Sequence, residues 1–292
     1  MKTTLKASRD RFVTLFDATY NKQDCRDYYR MLRSLGYSNH AHAVPVFCAI
    51  LDGLIRTRGL TQINVLDFAS SYGIVSALIR FDISAQAFLD YYQSPDLTDL
   101  TSDEMADRDR AWLASLSPRF PQITFTALDV ANNAAAYGQN VGIFDYAFAE
   151  DLEGNEPSKS MAGRLAMTDM IVECGSVAHL MPGALDRLLT ASASRKPWVV
   201  TSPVRGNERQ AAFEVLRDHG YDVQKLGMPP FPHRRFDDPV EQARAIAIAE
   251  AAGHDTKGLE NTGSFFAQIY LARPASEAKD DFRPSSDVMS IA

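Results

Sequence analysis

Apolar residues recur along this chain at two periods, and the changes of period divide it into elements. Over 24–36, Tyr28, Leu32 and Leu35 fall at helical spacing and Gly36 supplies a stop, which predicts an amphipathic helix. A polar turn, Ser38-Asn39-His40, follows. A second helix is expected to start near Pro45, whose fixed φ and missing N–H suit a first turn, with Val46, Phe47, Ile50, Leu51 and Leu54 on one broad face. The pattern then shortens into apolar runs of strand length over 63–68, 123–128, 144–148, 169–175, 198–201, 221–226 and 265–272. Helical patterns lie between them over 73–81, 133–139, around Leu185, Leu188 and Leu189, over 208–219 and over 239–252. Residues 82–119 carry acidic and aromatic clusters, including Phe88, Tyr91, Tyr92 and Trp112, without a strand pattern, and read as a helical insertion. Residues 228–232 read as a proline-rich loop.

Strands alternating with helices predict an α/β fold with a doubly wound, mostly parallel sheet. The last strand, reached through a long loop, is expected to return as an antiparallel member. The expected organisation is an N-terminal helical cap over 1–60, a main domain over 61–274 with the insertion at about 82–120, and a charged, serine-rich, disordered tail over 275–292. Ligands of open sheets of this kind bind at the carboxyl ends of the strands, which puts the turns after Asp67, Asp129, Phe148 and Cys174 on one rim.

The first of these turns organises the rest. The strand Val65-Leu66-Asp67-Phe68 breaks into Ala69-Ser70-Ser71-Tyr72-Gly73 and opens into a helix. Small residues there let the backbone approach a ligand.

Composition narrows the partner. A net charge of −7 over 292 residues argues against a large phosphate-binding surface, so the expected partner is a small molecule and not nucleic acid. The three cysteines, Cys25, Cys48 and Cys174, are too few and scattered for a disulfide framework or a paired-cysteine zinc site. The longest apolar-looking run, 44–55, contains Asp52 and falls short of the roughly 20 residues that cross a bilayer. A cytoplasmic protein without membrane or metal partners is expected. His40 and His42 with His179 or His233 lack a second-ligand spacing and read as surface or packing histidines. Neither Gly-x-Gly-x-x-Gly nor a Walker-type loop surrounds Asp67.

With these residues in view, the chain resembles the class I S-adenosylmethionine-dependent methyltransferase family over roughly residues 60–273. The family's first strand ends in an acid followed by small residues at alternate positions, a pattern occupied here by Asp67, Ala69, Ser71 and Gly73, with Ala69 and Ser71 standing where glycines are usual. The resemblance implies a seven-stranded Rossmann-like sheet and S-adenosyl-L-methionine as cofactor. It implies contacts from Tyr72 in the first turn, from Asp129 to the ribose hydroxyls with Val130 beside it, and from Asp151 and Leu152 to the adenine. Glu173, Cys174 and Gly175 would then stand near the methionine part, within the stretch 168–180. The helical insertion delays Asp129 relative to the usual spacing.

A sulfonium cofactor carries its own electrophile, so the protein mainly holds the acceptor in line and keeps water out. His179, just past the fourth strand, is the base candidate, and Tyr29, in a cap that also holds Tyr20, Tyr28, His40 and His42, is a second catalytic candidate. The expected activity is methyl transfer to a small-molecule acceptor. Aminocarboxypropyl transfer or cyclisation releasing methylthioadenosine is an alternative, as is a non-catalytic cofactor-binding protein. The Asn/Asp-Pro-Pro-Tyr/Phe motif that holds a flipped base is missing after the fourth strand. Acceptor identity and oligomeric state stay open.

Overall fold

The computed structural model describes residues 19–175 and 181–284. Its centre is a seven-stranded sheet built from β1 (Ile63–Phe68), β2 (Ile123–Leu128), β3 (Tyr146–Phe148), β4 (Met170–Glu173), β5 (Trp198–Thr201), β6 (Tyr221–Lys225) and β9 (Tyr270–Pro274), in the order β3-β2-β1-β4-β5-β9-β6. The first five strands run parallel, and β9 is antiparallel to both β5 and β6. This is the doubly wound, mostly parallel Rossmann-like sheet that the sequence implied. Strand order reverses between β1 and β4, and the crevice at their carboxyl ends is where such sheets receive ligands.

β1 shows why both faces are covered. Ile63 and Val65 enter one apolar cluster, while Leu66 and Phe68 enter another. The first cluster is shared with the N-terminal helices α1 (Arg26–Ser34) and α2 (Asn39–Arg58) through Leu32, Phe47, Ile50, Leu51 and Leu54. The second is shared with α7 (Lys159–Leu165), α8 (Pro182–Ala191) and α9 (Gln210–Asp218). Helices α3 (Ile74–Arg80), α4 (Ala85–Tyr91), α5 (Ser102–Ala114) and α6 (Asn132–Asn140) complete the first layer. Thr101 and Glu104 close a capping box at the start of α5.

Four expectations are corrected. Helix α2 starts at Asn39, and Pro45 lies inside it, where it can donate nothing to the carbonyl one turn back. Such a proline costs about 3 kcal/mol. The helix persists because Asn39, His40 and a long apolar face are all drawn inside. The expected strand 265–272 is two strands, β8 (Ser264–Ala267) and β9, parted at Gln268-Ile269. The proline-rich loop runs into β7 (Phe231–Arg235), which pairs with β8 as a separate two-stranded sheet, and α10 (Pro239–Ala251) lies between them in sequence. Finally, the expected disordered tail is seated as far as it is described. Phe282 packs on Trp198 with ring centroids 6.4 Å apart, and its N–H donates to Gln224 Oε1 at 2.8 Å. Helix α7, a short element after the acidic loop, adds to the pattern read from sequence.

Candidate functional site

The turn after β1 has the backbone of a glycine turn without the glycines. Ala69 and Ser71 have φ of 55° and 52°, and Gly73 has 91°. Side chains in this left-handed region cost roughly 1–2 kcal/mol each. The conformation is held by neighbours: Ala69 N–H donates to the Leu128 carbonyl at 2.8 Å, and Ser71 N–H donates to Asp129 Oδ2 at 2.8 Å. Gly73 is confined differently, since a Cβ there would lie 2.6 Å from Ile143 Cγ2 and 2.7 Å from Phe144 Cζ.

Two acids frame this turn. Asp67, buried at the end of β1, accepts from Ser76 Oγ at 2.7 Å. Burial, reinforced by the charges of Asp129 and Glu173 and opposed by the Ser76 hydrogen bond, pushes its pKa up to about 7. Asp129 follows β2 and is also buried, with Oδ1 accepting from Ala131 N–H at 2.8 Å and Oδ2 from the Tyr20 hydroxyl at 2.8 Å. Among the described residues, neither Asp67 nor Asp129 meets a lysine or arginine within ion-pair distance. The field in the crevice is therefore negative and suits a ligand bearing positive charge. Beside Asp129, Val130 is 64% exposed, an apolar face left open on the rim.

Tyr20 belongs to a group of tyrosines that roofs the turn. Its ring centroid lies 5.6 Å from Tyr28 and 6.4 Å from Tyr72. Tyr72 is buried, its hydroxyl donating to the Lys22 carbonyl at 3.0 Å. Tyr29 is buried too, and its hydroxyl donates to the Tyr72 carbonyl at 3.0 Å. That proton is committed and the ring is closed in by Phe88 and Tyr92, so Tyr29 braces the turn and does not stand where a reacting group could meet it.

On the β3 side, Asp151 is exposed and caps its own loop by accepting from Glu153 N–H at 3.0 Å. Leu152 faces inward, buried in the cluster that holds Leu66, Phe68 and Leu128, which leaves its backbone and not its side chain on the rim. On the β4 side, Glu173 is buried and bonded to the Thr201 hydroxyl. Cys174 is buried, and burial holds its thiol protonated, well above the ordinary range, which removes it as a nucleophile. His179 lies outside the described residues.

A second polar group, not anticipated from sequence, adjoins Gly175. Asn39 Nδ2 donates to Cys174 Sγ at 3.3 Å and to Ser202 Oγ at 3.2 Å. His233 Nε2 lies 3.1 Å from the Tyr37 hydroxyl and 3.3 Å from the Gly175 carbonyl. Gly175 has φ of 66°, and a Cβ there would fall 2.5 Å from both Asn39 Nδ2 and His233 Nε2, so glycine is required for the two to converge. The signal that could have found them was a single polar residue in apolar surroundings: Asn39 at the head of an apolar helix, and His233 after Phe231-Pro232. No group of three His, Cys, Asp or Glu side chains able to hold a metal occurs among the described residues. No described helix is long and apolar enough to cross a membrane.

Among solved structures the chain is similar to a TehB-like SAM-dependent methyltransferase from Corynebacterium glutamicum, at 12% identity over 83% of this chain and 93% of that one, with a TM-score of 0.39. It is similar to the plantazolicin methyltransferase BamL in complex with a triazolic desmethylPZN analog and SAH, at 10% identity over 92% and 96% of the two chains, TM-score 0.46. A SAM dependent methyltransferase from Archaeoglobus fulgidus gives 13% identity, 84% and 99% coverage and a TM-score of 0.39. No protein-family model and no curated protein matches the chain. At these levels of likeness, the fold class rests on the chain's own strand order.

Proposed function

We propose that this protein is an S-adenosylmethionine-dependent methyltransferase acting on a small molecule. One observation carries the reading: Asp67, Asp129 and a glycine-like turn converge at the switch point of the sheet, buried and without a cationic partner among the described residues. A ligand whose polar end carries an ammonium and whose reacting centre is a sulfonium supplies the missing positive charge. The residues present fit it. Asp67, whose burial leaves it reluctant to ionise alone, would hold the amino group of the cofactor's amino-acid end, and the left-handed turn brings main-chain groups close to the same end. Asp129 would take the ribose hydroxyls, a role that requires Tyr20 to yield its place on Oδ2. Val130 would lie against the adenine, with Asp151 near its exocyclic amine.

Glu173, Cys174 and Gly175 would line the sulfur end. The cofactor brings an activated methyl carbon, so no nucleophile of the protein is required. The protein's part is to position the acceptor and exclude water, which the buried tyrosines and the expected cap over 1–60 serve. The acidic charge balance supports a small acceptor over nucleic acid, handled in the cytoplasm by the domain expected over 61–274.

Isothermal titration with S-adenosylhomocysteine tests the cofactor half. Binding to the wild type that is lost in Asp129→Ala is expected, and no binding to the wild type overturns the reading. Product analysis separates methyl transfer, which leaves S-adenosylhomocysteine, from chemistry that releases methylthioadenosine.

A further inference from the structure

We propose that the buried group formed by Tyr37, Asn39, Ser202 and His233 beside Gly175 is the acceptor subsite, built for a neutral planar ring that carries a hydroxyl. This rests on the reading above for where the cofactor's sulfur lies, at the β4 end of the crevice.

The first argument is unmet hydrogen-bonding capacity. Asn39 Oδ1, His40 Nδ1 and His233 Nδ1 are all buried and have no partner among the described residues. The three residues are 0%, 5% and 5% exposed. An unsatisfied buried polar atom costs about 1–3 kcal/mol; two of the three belong to this group, and the third is on the ring stacked against Tyr37. Flipping the Asn39 amide only exchanges the orphan, because its oxygen would then meet the Ser202 hydroxyl and its nitrogen would take the unpartnered place. One end of the amide therefore calls for a hydroxyl from outside the protein. His233 likewise has Nε2 engaged with Tyr37 and Gly175, which leaves Nδ1 for a ligand.

The second argument is how His233 gets there. Strand β7 pairs Pro232 with Phe266 and Arg234 with Phe265, so the register shifts across His233 and leaves it unpaired. A bulge of this kind re-aims one side chain, and bulges concentrate beside functional sites. The surrounding strand is tied down independently, since Ser38 N–H donates to the His233 carbonyl at 2.8 Å and Arg235 N–H to the Leu35 carbonyl at 3.0 Å. The side chain is thus displaced from the ladder while its backbone is fixed.

The third argument gives the ligand's character. Tyr37 is half-buried and stacks on His40 at 4.8 Å and 27°, with His233 set edge-on to it at 4.6 Å. These faces suit a flat ring. Burial lowers the pKa of His40 and His233 to about 3, so both are neutral at physiological pH and offer no counter-charge to an anion. Arg234, next in the chain, is already paired with Glu241 at 2.6 Å. A neutral hydroxyl, donating to Asn39 Oδ1 or His233 Nδ1, satisfies the group. His233 is then a positioning residue that accepts the ligand's hydrogen bond.

The probe is 4-fluorophenol, followed by ¹⁹F line broadening on protein saturated with S-adenosylhomocysteine, with the ¹⁵N signals of the His233 imidazole recorded in parallel. Saturable broadening accompanied by a His233 shift, and weakened about tenfold in His233→Phe or Asn39→Leu while S-adenosylhomocysteine affinity is kept, is the expected result. Kept cofactor affinity in those variants also shows that they fold. Saturable binding that leaves the His233 signals unmoved, undiminished binding in both variants, or no saturable binding at millimolar probe overturns the subsite and leaves the cofactor reading intact. Wild type that shifts at His233 with the probe but does not bind S-adenosylhomocysteine overturns the cofactor reading and keeps the group as a site for a neutral ring.

Discussion

The hydroxyl of Tyr20 donates to Asp129 Oδ2 at 2.8 Å, the same oxygen that accepts the Ser71 N–H at 2.8 Å. A side chain from ahead of the first helix and a main-chain group of the signature turn thus share one atom. With Ala131 N–H on Oδ1, the carboxylate is already well supplied with donors. Under the proposed reading a ribose diol would replace one of them, and Tyr20 is the only side chain among the three. Tyr20→Phe is therefore expected to tighten S-adenosylhomocysteine binding by about threefold to tenfold in titration calorimetry, with stability changed by no more than about 1 kcal/mol. Weaker binding in this variant would show that the hydroxyl is a cofactor ligand and not a competitor.

The left-handed residues of the turn differ in what they tolerate. Ala69→Gly removes a strained Cβ and is expected to hold or raise stability by up to about 1 kcal/mol, the gain being limited by the added freedom of the unfolded chain. Gly73→Ala drives a Cβ into Ile143 and Phe144 and is expected to lose roughly 3 kcal/mol. Urea unfolding of the two variants checks the contrast. A stabilised Gly73→Ala would mean that the turn is not packed as described.

Asp67 makes stability depend on pH. Its folded pKa, near 7, lies above its ordinary value of 3.8, so the fold holds this proton more tightly than the unfolded chain does. The resulting stabilisation is full below about pH 4 and is lost as pH rises through 7, with an upper bound of about 4 kcal/mol. His40 and His233 act the other way. Their depressed pKa values, near 3, give stability that is full above about pH 6.5 and is lost as pH falls toward 3. Comparing thermal unfolding of wild type and Asp67→Asn between pH 4 and 8 isolates the first effect. The difference in stability between the two should change monotonically across this range in favour of the variant, and a constant difference would count against the assignment.

The seated tail is the fourth test. Phe282 covers Trp198 and lies over Gly53, where a Cβ would come within 2.8 Å of its ring. Phe282→Ala is expected to cost about 2 kcal/mol by urea unfolding. An unchanged midpoint would return this stretch to the disordered class.

Much of this architecture was legible because it is written locally. The strand 63–68 announces itself by a mostly apolar run, and its turn by small residues, so β1, Asp67 and a small-residue turn could be read from one window of sequence, while the left-handed backbone at Ala69 and Ser71 could not. Asp129 was legible through a resemblance, and its place beside the turn depends on strand pairing. What could not be read depends on contacts distant in sequence. Pro45 looked like a first-turn residue because nothing local shows that Asn39 and His40 are drawn inside. The run 265–272 looked like one strand because the change of partner at Gln268-Ile269 leaves no mark in its hydrophobicity. His233 sits 194 residues after Asn39 and meets it only through Gly175, a convergence that no periodicity encodes.

The chain leaves the main sheet at Leu226 and re-enters it at Ile269, and the two points are bonded, with Leu226 N–H donating to the Ile269 carbonyl at 3.0 Å. Everything between them, β7, α10 and β8, is an excursion closed at its base. Natural variation can lengthen, shorten or exchange such a segment without shifting the register of β6 against β9. Of the group beside Gly175 only His233 rides on it, while Tyr37, Asn39 and Ser202 belong to the body, as do Asp67 and Asp129. The same separation offers a graft point: a chimera joined at 226 and 269 would replace one member of that group and leave the crevice at Asp67 and Asp129 unaltered.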